Sequence, residues 1–279
     1  MENSTTFRQR LNRATARNES LVCVGLDPDP ERLPAAVRGE LDPVLAFNQA
    51  LIEATADLAC AYKPNFAFYG ALGESGWATL AATIESTPEH VPVIVDAKVG
   101  DIGSTAEMYA RMLFDQLGAD AVTVNPLMGE DAVAPFLHRR EKGVFLLCLT
   151  SNDGAEDIEK QQLQSGVPLY EHVAAKAVEW NANGNVGLVV GATQPDSLRA
   201  IRRIAPDLPI LMPGVGAQGG EVEVAIGLGQ DAAGAGLVVN ASRSICYAGS
   251  GPDFAAAARR ATLELRDQIN QHRRRPTPG

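Results

Sequence analysis

Lysine and aspartate recur at positions where polar side chains are rare. Lys63 lies in the apolar run AYKPNF (61–66), and Asp96 and Lys98 lie in VPVIVDAK (91–98), with Asp101 just beyond it. Asp96 and Lys98 are two residues apart, so regular strand alternation predicts that both point to one side. Lys63 can face them from a neighbouring strand. The chain has five lysines against nineteen arginines, yet two of the five sit inside apolar runs. Burying an ammonium is costly unless carboxylates pair with it. Cations interleaved with carboxylates in apolar strands read as a catalytic group. A structural ion-pair network is the alternative reading, and position in the fold discriminates between the two.

A second constellation suits phosphate. The run LPILMPG (208–214) leads into Pro213-Gly214-Val215-Gly216-Ala217-Gln218-Gly219-Gly220, which contains a G-x-G-x-x-G. Alone that motif is weak and suggests a dinucleotide fold, but here no ribose-binding acid follows about 20 residues on. Backbone N–H groups of such a loop can cradle a phosphate at a helix start. The run AGLVVN (235–240) is followed by Ala241-Ser242-Arg243, which brings a guanidinium suited to bidentate phosphate contact. A glycine-rich turn with a surface arginine is the bland alternative.

The elements that position these residues follow from hydropathy. Eight short apolar runs recur: LVCVGL (21–26), AYKPNF, VPVIVDAK, DAVTVN (120–125), GVFLLCLT (143–150), VGLVVG (186–191), LPILMPG and AGLVVN. Most are nearly continuous in Val, Ile and Leu, as strands covered on both faces are. Helical stretches separate them, among them PVLAFNQALIEATADLA, STAEMYARMLFDQL, LYEHVAAKAVEWNA, QPDSLRAIRRIA, GGEVEVAIGLG and DFAAAARRATLELRDQI. Strand then helix, eight times, predicts an α/β fold, a closed (β/α)8 TIM barrel forming a single domain over 1–279. A doubly wound open sheet competes, but the first run ends in Asp27-Pro28-Asp29-Pro30, which is no dinucleotide turn. In such barrels the chemistry sits at the carboxyl ends of the strands, and phosphate sits after strands 7 and 8. Both constellations fall there.

The rest of the chain narrows the function class. With 279 residues, 46% hydrophobic and 21% charged, the composition is that of a globular domain. A net charge of -10 repels nucleic acid and anionic membranes. No apolar run is long enough to span a bilayer. Cys23, Cys60, Cys148 and Cys246 form no C-x-x-C pair and read as buried free thiols. His90, His138, His172 and His272 end no apolar run, so they read as surface residues and no metal site is expected. Trp77 and Trp180 read as packing residues on helices. Residues 5–17 read as a leading helix with Phe7, Leu11 and Ala14 on one face, with a faintly transit-like arginine content as the other reading. The tail, about 272–279, reads as frayed.

DAKVGDIGSTAEMYA (96–110) resembles the D-x-K-x-x-D-I-x-x-T signature of orotidine 5'-monophosphate decarboxylases. LVCVGLDPDPERLP, AYKPNFAFY, LCLTSNDGAEDIE, MPGVGAQGG and VVNASRSI are similar to further segments of that family, in order from about Phe7 to Thr262. The likeness is greatest to its longer bacterial branch. The resemblance implies a cofactor-free and metal-free decarboxylase, cytoplasmic, acting on a small-molecule nucleotide as a homodimer. It implies that Lys98 protonates C6, that Asp96 lies near the substrate carboxylate, and that Lys63 completes a Lys-Asp-Lys-Asp array. It implies that Asp101 enters the partner's site. Asp27 is implied in ribose contact, Ser151 in pyrimidine contact, Gln218 and Arg243 in phosphate contact, and Thr105 and Pro213 in further substrate contacts. Ser242 departs from the pattern, where the family often has glycine, and its backbone N–H still serves. The polar segment 152–167 has no contacts assigned by the resemblance. A magnesium-dependent sugar-phosphate decarboxylase or hexulose-phosphate synthase on the same barrel is the nearest rival, but that group has an acidic metal ligand where this chain has Lys63. A Schiff-base aldolase leaves the interleaved aspartates unexplained. A non-catalytic phosphate-binding barrel leaves the whole array unexplained.

Overall fold

The computed structural model describes residues 5–192, 195–214 and 219–274, with side chains in the last stretch from 222 onward. Its elements run as follows. Helix α1 (Phe7–Arg17) precedes β1 (Val22–Leu26), α2 (Pro43–Thr55) and β2 (Ala61–Pro64). Next come α3 (Phe66–Gly70), α4 (Gly76–Glu85), β3 (Ile94–Val99), α5 (Gly103–Ala110) and β4 (Ala121–Val124). Then follow α6 (Glu130–Leu137), β5 (Gly143–Leu149), α7 (Leu169–Glu179), β6 (Val186–Val190) and α8 (Pro195–Ile204). The chain closes with β7 (Ile210–Pro213), α9 (Gly219–Gly229), β8 (Leu237–Ala241), α10 (Arg243–Cys246) and α11 (Phe254–His272).

All eight strands pair in parallel, in the order β2-β1-β8-β7-β6-β5-β4-β3. Bridges at Tyr62–Val93 and Asn65–Asp96 nearly close the ring between β2 and β3. This is the (β/α)8 barrel that the alternation of runs predicts, and both strand faces are covered. Outward residues such as Val24, Val122, Leu146 and Leu188 pack against the helices. Inward residues Cys23, Ile94, Ala121, Phe145, Val189, Leu211 and Val238 fill the barrel.

Helix α1 plugs the amino-terminal end of that inner core. Thr6 and Gln9 cap it reciprocally, each side chain accepting the other's backbone N–H at 3.3 and 3.0 Å. Phe7, Leu11 and Ala14 are buried on one face, as the spacing predicts. The Phe7 ring meets Phe145 edge-on, with centroids 5.8 Å apart. Gly143 permits this, because a Cβ there would lie 2.3 Å from the Phe7 ring. Each ring contributes roughly 1.5–3 kcal/mol by burial.

Several expectations need correction. The second run stops at Pro64, because the Asn65 side chain accepts the Ala67 N–H at 3.1 Å and starts α3. The helical stretch 104–117 is α-helical only to Ala110 and then widens into a π-type turn over Arg111–Gln116. Trp77 is 41% exposed and is no core residue, whereas Trp180 packs partly buried against the core. Helix α11 reaches His272, and Arg274 N–H donates to Gln230 at 2.8 Å, so 272–274 are tied down. The four cysteines are free and buried, as expected. No described helix is long and apolar enough to cross a membrane.

Candidate active site

The carboxyl ends of β2, β3 and β4 bring three of the sequence candidates together. Lys63, next to last in β2, donates from Nζ to Asp96 Oδ2 at 2.9 Å. Lys98 Nζ donates to Asp96 Oδ1 at 2.6 Å. The Lys63 and Asp96 side chains are 3% and 9% exposed, while Lys98 is 46% exposed at the mouth. Burial works to raise the Asp96 pKa, but the charges of Lys63 and Lys98 outweigh it and hold the carboxyl at about 2. Burial opposes the Lys63 charge, but Asp96 and then Asp27 overcome it and raise its pKa. Both members of the buried pair are therefore ionised across neutral pH.

Regular alternation is not what brings Asp96 and Lys98 together. The β3–β4 register shifts between Val95 and Val99. Lys98 has φ +47°, in the left-handed region that costs a non-glycine residue roughly 1–2 kcal/mol. Strain of this kind persists only where the surroundings over-determine it. Here Lys98 N–H donates to Thr123 Oγ1 at 2.9 Å, and that hydroxyl donates to Asp96 Oδ1 at 2.9 Å. Thr123, fully buried on β4, escaped the sequence reading. Like the two lysines, it is a polar residue inside an apolar run, DAVTVN (120–125).

A cavity of about 660 Å³ opens between the ends of β1, β5, β7 and β8. Asp27, Ser151, Gly214 and Arg243 line it. Asp27 joins the cavity to the lysine–aspartate group, since its charge acts on Lys63. One Asp27 oxygen, Oδ1, is buried without a hydrogen-bond partner among the described residues, and so is Asn240 Oδ1. Buried acceptors of this kind are poised for a ligand's hydroxyl or N–H donors. Arg243 is exposed at the first position of α10. The preceding Ser242 takes a hydrogen bond from Asn240 Nδ2 at 3.3 Å and packs where a Cβ on Gly25 would lie 1.8 Å from its Oγ. Pro213 ends β7, paired with Asn240. Gln218 lies outside the described residues.

Two candidates stand apart from this cavity. Asp101 Oδ1 accepts its neighbour's N–H, from Ile102 at 2.8 Å, and Thr105 is exposed on α5. Around them Ile102, Met108, Leu127 and Met128 are 44–61% exposed.

The sequence reading also missed the supports of the loops. Tyr247 O–H accepts the Asp29 N–H at 2.7 Å and donates to the Asp27 carbonyl at 3.2 Å. The Arg32 guanidinium stacks 3.7 Å from the Tyr247 ring centre, on the cavity wall. In the polar segment after β5, Glu159 accepts Thr150 N–H at 2.7 Å and so fixes the residue before Ser151. These partners come from distant parts of the chain and carry no local signal.

Comparison with known proteins identifies relatives of the chain. The model of the orotidine 5'-phosphate decarboxylase / HUMPS family matches residues 20–261. The chain is 51% identical to an orotidine 5'-phosphate decarboxylase of Thermomicrobium roseum over 96% of both chains. It is 50% identical to one from Herpetosiphon aurantiacus, over 91% of this chain and 94% of that one. The solved OMP decarboxylase of Leishmania donovani superposes with a TM-score of 0.84 at 40% identity, covering 96% and 98% of the two chains. The matched segment runs from before β1 to within α11 and so carries every strand end described above: the chain belongs to the orotidine 5'-phosphate decarboxylase / HUMPS family.

Proposed function

We infer that this chain decarboxylates orotidine 5'-monophosphate to UMP and carbon dioxide, the last step of pyrimidine nucleotide synthesis. The observation that carries the reading is the Lys63–Asp96–Lys98 group, with contacts of 2.9 and 2.6 Å at the carboxyl ends of β2 and β3. The C6–carboxylate bond breaks, carbon dioxide leaves, and the bonding electron pair stays on C6 as a vinylic carbanion. Lys98 Nζ lies at the mouth and delivers the proton that quenches it. Asp96 fixes that ammonium and sits near the departing carboxylate, whose repulsion disappears once carbon dioxide has formed. Lys63 keeps Asp96 ionised from behind. A preorganised cation of this kind stabilises developing charge without the cost of reorienting solvent.

Asp27 takes the ribose, Ser151 the pyrimidine, and Pro213, Gln218 and Arg243 the phosphate end. Phosphate contacts far from C6 supply binding energy that holds the reacting end in place. Asp101 acts in the partner subunit of a homodimer, and Thr105 makes a further substrate contact. The exposed Ile102, Met108, Leu127 and Met128 around them favour that arrangement. Four buried thiols suit a cytoplasmic setting.

The rival reading is a magnesium-dependent sugar-phosphate decarboxylase or hexulose-phosphate synthase on the same barrel. Both Asp96 oxygens already accept from ammonium groups, Oδ2 from Lys63 and Oδ1 from Lys98, so a metal ion on Asp96 would have to compete with two fixed positive charges. The test is decarboxylation of orotidine 5'-monophosphate by EDTA-treated protein, followed by pyrimidine absorbance. Rapid turnover supports this reading against both a magnesium enzyme and a binding-only barrel. A folded dimer that leaves the substrate unchanged would overturn it.

A further inference from the structure

A single hydroxyl joins the two residues on which the proposed chemistry depends. Thr123 Oγ1 lies 2.9 Å from the backbone nitrogen of Lys98 and 2.9 Å from Asp96 Oδ1. The directions of both bonds are fixed by chemistry. The Lys98 amide can only donate, and the ionised Asp96 carboxylate can only accept. The hydroxyl therefore accepts from Lys98 and gives its one proton to Asp96, and both bonds are satisfied together.

Its place in the sheet explains why a side chain does this work. Between Val95 and Val99 the β3–β4 ladder loses register, so the Lys98 peptide has no regular partner on β4. Thr123 supplies the missing acceptor from its side chain. Lys98 sits there with φ +47°, a conformation that needs external restraint. Thr123 is fully buried, and its branched Cβ leaves the hydroxyl little rotational freedom.

We propose that Thr123 is a positioning residue of the active site, whose hydroxyl sets both the left-handed backbone of Lys98 and the orientation of Asp96. This rests on the decarboxylase reading above. Thr123 acts through these two neighbours, so its loss disturbs the reacting step more than the distant phosphate and ribose contacts.

The test compares T123V and T123S with the wild type. Valine keeps the shape and removes the hydroxyl, whereas serine keeps the hydroxyl with a looser rotamer. T123V is expected to lower kcat about tenfold to a hundredfold, with KM for the substrate and affinity for UMP within about threefold of wild type. T123S is expected to recover most of that loss. A T123V enzyme with wild-type kcat overturns the proposal, as does one in which kcat and thermal stability fall while KM rises, without rescue by serine. Should T123V fail to fold, hydrogen exchange of the Lys98 amide in wild-type protein decides the matter. A strongly protected amide is expected, and exchange at the rate of an open loop overturns the proposal. That measurement needs no substrate, so it separates failure of this inference from failure of the decarboxylase reading, which wild-type turnover tests alone.

Discussion

Lys63 Nζ and Asp96 Oδ2 lie 2.9 Å apart with almost no solvent between them and the barrel wall. The pair sets a pH dependence whose sign follows from the two shifts. Asp96 is held at about 2, below an ordinary aspartate near 3.9. Its contribution is complete above about pH 4 and fades as pH falls through about 2. Lys63 is raised. Its contribution is complete below about pH 10 and fades only as pH rises through its folded value. D96N leaves the buried Lys63 charge without its partner, so it is expected to destabilise the fold by about 3–5 kcal/mol at pH 7. Urea unfolding at pH 7 and pH 3 checks this. The gap between wild type and D96N should narrow by roughly 1 kcal/mol at the lower pH. An unchanged gap would mean that the two charges are not coupled.

Lys98→Ala removes the proposed proton donor and leaves the cavity around Asp27 and Arg243 intact. Turnover is expected to fall at least about a thousandfold, while UMP affinity stays within several-fold. Single-turnover kinetics and UMP titration measure the two separately. Near-normal turnover would end the proton-donor role.

Arg243 lines the cavity and Lys98 does not, so its loss should act first on binding. Arg243→Ala is expected to weaken UMP affinity by about tenfold to a hundredfold, with a smaller loss in kcat. The effect should vanish when uridine, which lacks phosphate, replaces UMP. An equal loss for uridine would place Arg243 away from the phosphate.

Asp101 is proposed to serve the partner's site, and mixing two inactive variants tests that. After subunit exchange between K98A and D101A, half of the dimers are mixed. Each mixed dimer has one site with both residues intact. Activity should return to about a quarter of wild type if the sites are shared across a two-fold dimer. If Asp101 acted within its own subunit, mixing would restore nothing.

Away from the site, Arg202 ties together the loops at the start of β7 and the end of α9. Its guanidinium donates to the carbonyls of Ala205, Leu208, Gly229 and Gly236 at 2.5–3.1 Å. Burial pushes its pKa down to about 10, against the pull of Asp231, so it remains charged at neutral pH. Arg202→Met leaves several carbonyls unpaired and should cost roughly 2–4 kcal/mol. Calorimetry should show the loss in melting temperature, with kcat unchanged in the folded protein. A melting temperature equal to wild type would mean that water replaces the guanidinium without penalty.

The strands were legible because strands covered on both faces are apolar throughout, which makes β1 through β8 visible as eight short runs. Lys63, Asp96 and Lys98 were legible because a charge inside such a run demands a reason. Arg243 stood out because it follows the eighth run, where barrels hold phosphate, whereas Asp27 and Ser151 were named only through the family resemblance. What the residues alone could not give was the manner of their meeting. The sequence pointed to regular alternation at Asp96 and Lys98, whereas a shifted register and a left-handed Lys98 bring them together. Thr123, Tyr247, Arg32 and Glu159 acquired their roles only when residues between 9 and 220 positions away arrived beside them. Hydropathy is a property of each segment and can be read along the chain. A hydrogen bond between strands is a property of register and closure, and these exist only once the barrel has formed.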